Sequence, residues 1–454
     1  MKKIALLILL ISSFAQAQFS ITGTLTQSLD TDWVILYRIE GSKQKFVQNT
    51  TMKKDTLFIE GKMQTIGSFN FELPATAKAS SYRISYRTRG TSFVDFIFNK
   101  ENVSFTFHPD YPEQTILFSE SKENITYKNY LKEIFAQQQK LDSLQVIAIR
   151  NPELDLKTSY KTALIKINSA QQAYLESTQQ MYIYPFVKAS FRVNPPEIKT
   201  NVKAYMSAIL NTFFEPIDFS NQTLINSSFL LDRVTDYVFY LNYSEDATTQ
   251  QTLYKSAIET VFTKIEDSVF KKNVIEFLIE KFEENNNLRM IDFLFQNYYD
   301  ALPASLQNAK FKNEKIKLLA TAIGRVAPDF TWKENGKDFQ LSTLNDAKNY
   351  VLVFWSTECS HCLKEIPELH AFLQDKKEIK VVAFSMETSD LGWNSMIVSL
   401  PNWHHVLGLN KWRNTVARTY NINSTPSYFI LDADKRIIAK PIPLEELKTF
   451  IEKL

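Results

Sequence analysis

The run YVLVFW, residues 350–355, leads within four positions into Cys359 and Cys362. Unbroken apolar residues fit a strand buried on both faces, which requires a sheet with layers packed above and below it. Directly after it, from Cys359 to about Gln374, Ile366, Leu369, His370 and Leu373 fall on one side of a helix. A buried strand feeding straight into a helix confines this part of the chain to an α/β arrangement. The two cysteines are the only ones in 454 residues. A disulfide between them closes so short a loop that it restrains the unfolded chain by only about 2 kcal/mol. That is a poor staple for a chain of this length, and the pair is better suited to react.

The surroundings complete the pattern. IKVVAFSM (379–386) reads as a second buried strand, followed by a helix around 391–400 and a short strand near 403–407. A helix near 415–420 precedes SYFILD (427–432) and RIIAK (436–440), an antiparallel pair joined by a turn at Ala433-Asp434. Leu444–Leu454 closes as a helix. The order is β-α-β-α followed by β-β-α.

Glycine divides the rest. None of the nine glycines lies between positions 91 and 323. Before this gap, residues 18–118 alternate as strands do, in FSITGTL, WVILYRI, SFNFEL, YRISYR, FVDFIF and VSFTFH. Period-two apolarity with aromatic and β-branched residues predicts a small antiparallel sandwich or barrel. Residues 119–322 are helical in pattern: Tyr127, Tyr130, Leu131, Ile134, Phe135, Leu141 and Leu144 recur at helical spacing. Breaks are expected at Asn151-Pro152, Asn194-Pro195-Pro196 and Leu302-Pro303. Neither segment contains a catalytic constellation.

The start of the chain reads as a secretory leader. Lys2 and Lys3 precede the apolar run 4–11, and Ala15-Gln16-Ala17 offers a small-residue cleavage site. The run is shorter than the roughly 20 residues of a membrane span. The expectation is cleavage after Ala17 and a soluble protein of the periplasm or another exported location, with no stable membrane span. Loss of Lys2 and Lys3 takes the formal net charge from +2 to zero. A neutral chain gives no electrostatic reason to expect nucleic acid as partner.

CxxC after a buried strand, opening a helix, is a thiol redox signature. On a first helical turn, residues three apart are neighbours, so the two sulfurs can bond with little backbone movement. The first sulfur sits where free backbone N–H groups and the helix dipole favour an anion, which marks Cys359 as nucleophile. Cys362, a turn further in, resolves the mixed disulfide that Cys359 makes. His361, as an imidazolium beside Cys359, stabilises the thiolate and makes the disulfide more oxidising, by about 30 mV per tenfold change. Glu358 adjoins Cys359 and pushes the other way.

WSTECSHC with KEIP after it, together with STPSYFILD, resembles the thioredoxin fold. GRVAPDF, upstream of the CxxC, narrows the resemblance to the TlpA/ResA-like thiol–disulfide oxidoreductases of bacterial envelopes. It covers residues 323–454. It implies a redox-active Cys359–Cys362 disulfide, with no other cofactor and no metal. It also implies a cis bond between Thr425 and Pro426 that sets the Thr425 backbone beside the sulfur to pair with substrate. The aspartate that thioredoxins bury six residues before the first cysteine is Val353 here. Glu365, three residues after Cys362, stands where the family has an acid near the active site and is the candidate proton acceptor for Cys362.

The reading is a multidomain chain: a leader (1–17), an N-terminal all-β module (18–118), a central all-α module (119–322) and a C-terminal α/β thioredoxin-like fold (323–454). Its expected activity is disulfide exchange with envelope proteins, with an unidentified thiol partner supplying or taking electrons. Three alternatives compete with it. Zinc would need a second CxxC or an HxxxH pair at suitable spacing, which is missing. A peroxiredoxin-like thiol peroxidase would carry Pro and Thr where this chain has Leu352 and Ser356. An envelope adaptor with a redox-switch domain remains open, since the first two segments could hold a partner or form a homo-oligomer.

Overall fold

The computed structural model describes residues 17–59, 61–88 and 92–454. Apart from Ala17, the leader expected over 1–17 lies outside the described residues. The chain forms two compact units that divide between Leu302 and Pro303, at a break the sequence marks.

The first unit opens with nine strands: β1 (Ala17–Leu25), β2 (Trp33–Glu40), β3 (Lys43–Thr51), β4 (Lys53–Ile59), β5 (Lys62–Pro74), β6 (Ser80–Ser85), β7 (Phe93–Phe98), β8 (Val103–Phe107) and β9 (Leu117–Glu120). They make two sheets, ordered β4-β5-β1-β8-β9 and β3-β2-β6-β7. Alternate residues, among them Ile21, Leu36, Phe71, Ile84, Phe96 and Phe105, fill the core between them. This is the expected sandwich, with one departure: β1 and β8 run parallel. The sequence reading missed β3, β4 and β9. All three are edge strands. They have little buried face, as the exposure of Phe46 and Phe58 shows, so no alternation betrays them.

The helical segment starts at once. Ser121 caps the helix Lys122–Arg150 by accepting from the Asn124 N–H. Buried Asn124 exchanges two hydrogen bonds with the Ile97 backbone of β7, at 2.8 and 2.6 Å. Buried Glu123 accepts from the backbone N–H groups of Tyr182 and Ile183, each at 3.0 Å. Paired polar groups of this kind tie sandwich and helices together, because each would be costly if left unpaired. The expected stripe is only partly core: Tyr130 and Leu141 are buried, whereas Leu131 and Phe135 are exposed.

The second unit begins with the helix Ala309–Ala320, which the sequence grouped with the helical segment. Then come β10 (Thr331–Glu334), β11 (Lys337–Gln340), β12 (Asn349–Trp355), β13 (Ile379–Glu387), β14 (His404–Leu409), β15 (Ser427–Leu431) and β16 (Ile437–Ala439). The main sheet is ordered β14-β13-β12-β15-β16. β12 lies at its centre, parallel to β13 and antiparallel to β15. Both its faces are covered, which explains the unbroken apolar run. Tyr350, Leu352 and Phe354 enter one core cluster, and Val351, Val353 and Trp355 enter the other. The second cluster also holds Cys362, Ile366 and Leu369 of the helix Ser360–Leu373. Each such aliphatic side chain contributes about 1.5–3 kcal/mol on burial. The β10–β11 hairpin was missed, although its Asn335-Gly336 turn, with both residues at positive φ, is a recognisable hairpin signal. No described helix is long and apolar enough to cross a membrane.

Gly408 lets β14 pack closely on β13. A Cβ there would lie 2.2 Å from the Phe384 ring and 2.9 Å from the Ser385 carbonyl oxygen. Gly408→Ala should destabilise the second unit by roughly 1–3 kcal/mol, the range for overpacking. Urea unfolding followed by tryptophan fluorescence measures this, and an unchanged midpoint would show that the strand spacing is slack.

Candidate active site

β12 carries the chain to Trp355, and Ser356, Thr357 and Glu358 turn it into the helix. Cys359 is the N-cap residue, in extended conformation with φ −100° and ψ 113°. Its sulfur accepts from the Cys362 backbone N–H at 3.3 Å. A thiol thus occupies the place where helices ordinarily put Ser, Thr, Asp or Asn. As a donor it reaches the Thr425 carbonyl oxygen, also at 3.3 Å. The Thr425–Pro426 bond is cis. Both cysteines are free thiols in this structure.

The two thiols are pushed in opposite directions. Burial alone would raise Cys359. Hydrogen bonds from the Cys362 and Thr425 side chains and from the backbone N–H groups of Cys362 and His361 outweigh it and hold Cys359 below its ordinary value. Cys362 is wholly buried. Burial, reinforced by the hydrogen bond with Cys359, pushes it up to about 12. One sulfur is therefore prepared as a thiolate, and its neighbour is kept protonated.

Glu365 is half-buried, and its Oε2 accepts from the Tyr428 hydroxyl at 2.7 Å. Tyr428 is buried, and its hydroxyl is held far above the ordinary range, first by burial and then by Glu365 and both cysteines. The sequence reading did not single out Tyr428. The signal was available: it lies two residues past Pro426 and opposite Val353 across the β12–β15 register, so it joins the cluster that holds Cys362. The Val353 position carries no carboxylate, leaving Glu365 and Tyr428 as the polar pair on this side of the cysteines.

Glu387 was also missed. It ends β13, one residue past the strand predicted, and is 1% exposed. Its carboxylate accepts from the Thr357 N–H at 2.7 Å and the Thr357 hydroxyl at 3.0 Å. It also accepts from the hydroxyls of Ser385 and Ser356, at 2.5 and 3.3 Å. Four donors satisfy the buried charge, and two of the three residues in the turn before Cys359 are fastened to it.

His361 is exposed, and its backbone N–H is what reaches Cys359. Glu358 is paired with Lys411 and accepts from the Thr388 hydroxyl at 2.9 Å. These bonds, Lys411 first, hold its carboxyl below the usual range. A carboxylate so matched exerts less of the opposing push on Cys359 that its place in sequence predicts. Cys359, Thr425, Met386, Lys411 and Trp412 line a cavity of about 230 Å³, with Trp412 half exposed. The other three histidines of the second unit make structural contacts. His370 bonds the Pro401 carbonyl oxygen, His404 sits between Glu334 and Asp346, and His405 is buried against the Leu400 carbonyl oxygen. Among the described residues no group of three or more His, Cys, Asp or Glu could hold a metal ion.

Residues 346–437 match a family described as thioredoxin-like. The chain is 25% identical over 138 residues to the thiol–disulfide oxidoreductase ResA of Bacillus anthracis, covering 29% of this chain and 78% of that protein. It is 26% identical over 142 residues to ResA of Bacillus subtilis (strain 168), covering 30% and 75%. The C-terminal region therefore resembles the thioredoxin-like, ResA-type thiol–disulfide oxidoreductases. A solved domain of a possible thiol-disulfide isomerase from Cytophaga hutchinsonii ATCC 33406 is 32% identical, covering 29% of this chain and 91% of that one, with a TM-score of 0.26.

Glu387→Gln replaces one acceptor oxygen by a donor facing Thr357 and Ser385. It should cost about 1–3 kcal/mol, as for an unsatisfied buried group. Loosening the turn should also raise the midpoint pH for Cys359 alkylation. If melting temperature and alkylation profile both match the parent, Glu387 does not position the turn.

Proposed function

We propose that the chain is an exported thiol–disulfide oxidoreductase that exchanges disulfides with envelope proteins through Cys359 and Cys362. The observation that carries this reading is the opposed poise of the two thiols at one helix start, with the Thr425 carbonyl oxygen 3.3 Å from the outer sulfur.

The reductive direction proceeds in two steps. The Cys359 thiolate attacks one sulfur of a substrate disulfide. A bond forms between Cys359 and that sulfur, the substrate S–S bond breaks, and the second substrate sulfur leaves as thiolate and takes a proton. Cys362 then loses its proton and attacks the Cys359 sulfur. The intramolecular disulfide forms, and the first substrate sulfur departs as a thiol. Two electrons have passed to the substrate, and an external dithiol restores the enzyme; oxidation of a substrate is the reverse.

Other residues serve these steps. A Cys362 that is protonated up to about pH 12 needs help in the second step. Glu365 accepts that proton, with the Tyr428 hydroxyl relaying it. Thr425, fixed by Pro426, pairs through its backbone with the extended substrate chain. His361 adjusts the redox potential from the solvent side. The first unit contributes surface for partner selection.

Cys362→Ser should accumulate covalent protein complexes that dithiothreitol releases, and Cys359→Ser should accumulate none. Equal trapping by both variants would reverse or abolish the assignment. Tyr428→Phe and Glu365→Gln should prolong the mixed disulfide by up to about 10²–10⁴-fold, the range for general acid–base help. Rapid quenching measures its lifetime, and an unchanged value would remove both residues from the relay.

A further inference from the structure

The first unit holds a cavity of about 460 Å³ that the thiol chemistry does not use. Its size lies within the range of about 300–1,000 Å³ typical of small-molecule sites. It opens where β7 meets the helices Lys122–Arg150, Tyr184–Ala189 and Phe229–Thr235. Phe96, Tyr127, Phe186 and Phe229 make much of its wall. The Tyr127 and Phe186 rings lie 5.9 Å apart, as do those of Phe186 and Phe229.

Asp232 also lines this cavity. The other charges nearby are spoken for. Asp95 is held by Arg83 through two bonds of 2.6 and 2.7 Å. Lys128 donates to the Glu113 carbonyl oxygen at 2.6 Å, beside the Glu113 carboxylate. Arg233 pairs with Asp236 at 2.6 Å. Among the described residues no cation forms an ion pair with Asp232; its partner is the Ser228 hydroxyl. Asp232 keeps an exposed edge to solvent while its carboxyl lines the cavity. Burial pushes it up to about 6; Asp95 and Asp236 also raise it, and Ser228 and Arg233 lower it. An acid in the first turn of a helix can serve the helix alone. That role leaves unexplained a cavity of ligand size walled by aromatic rings.

We propose that this cavity binds a small organic cation, an ammonium or guanidinium group on an aromatic or branched aliphatic body. Asp232 is the counter-ion, and the Tyr127, Phe186 and Phe229 rings pack the body and face the charge. Ring faces attract cations, and a carboxylate beside them gains from an opposite charge. The concave form favours a free molecule over a lysine side chain of a partner protein. The site is independent of the cysteines.

The test is calorimetric titration of the full chain with phenethylammonium, phenethyl alcohol and 3-phenylpropionate. Phenethylammonium should bind saturably, and the neutral and anionic probes at least tenfold more weakly. Asp232→Asn should weaken phenethylammonium at least tenfold. So should Leu131→Trp, which fills the half-exposed rim without touching the charge. Affinity should fall as pH drops from 7.5 to 5, because Asp232 takes up its proton near pH 6 and loses its charge. Cys359 alkylation should be the same in both variants, keeping this result separate from the thiol reading. Three outcomes would overturn the proposal: no saturable binding, equal binding of the alcohol, or unchanged affinity in whichever variants keep the parent melting temperature. Tighter binding of the peptide Gly-Leu-Lys-Leu-Gly than of phenethylammonium would also overturn it, in favour of protein docking.

Discussion

The sulfur of Cys359 caps a helix, and the chemistry of the second unit depends on that placement. A helix start presents backbone N–H groups without intrahelical acceptors. Here one of them, from Cys362, points at a thiol. The same short turn that exposes the first sulfur to these donors buries the second against Val353, Ile366 and Leu369. Acidity and inertness at the two cysteines are thus consequences of one geometry.

That geometry is held from beneath. β12 is fixed on both faces, so Trp355 has no freedom to shift. Glu387 then fastens Ser356 and Thr357. A buried carboxylate is costly unless every lone pair is used, and here four donors use them. The cost is tolerable because the charge replaces the flexibility of a surface loop with a fixed approach to the helix. From the far side, β15 supplies Tyr428, and the Thr425-Pro426 step just before it supplies the Thr425 carbonyl oxygen. The reactive sulfur therefore sits between three consecutive strands of the sheet, and each contributes one fixed polar group or turn.

Much of this was legible in the sequence because it is local. The YVLVFW run, the helix after it, the CxxC spacing and the Thr425-Pro426 step are all contiguous signals, and the structure places them together. What escaped depends on distance along the chain. The Glu358–Lys411 pair, the reach of Tyr428 to Glu365 and three of the four donors to Glu387 join residues far apart in sequence. Nothing in composition announces such pairings. The edge strands β3, β4 and β9 escaped for another reason: periodicity reports burial, and an edge has little to report. In the helical segment the pattern misled slightly, since Leu131 and Phe135 follow the spacing but face outward. Leu131 borders the cavity that contains Asp232, where an apolar residue can serve a purpose other than core packing.

The most direct measurement is a titration of the reduced full chain with carbon-13 at the cysteine β positions, followed by nuclear magnetic resonance. A free thiol titrates at about 8.5. Cys359 should titrate below that value, since its hydrogen bonds outweigh burial, while Cys362 should stay protonated to about pH 12. Coincident titration of both near 8.5, or ionisation of Cys362 first, would contradict the division of labour between the two sulfurs.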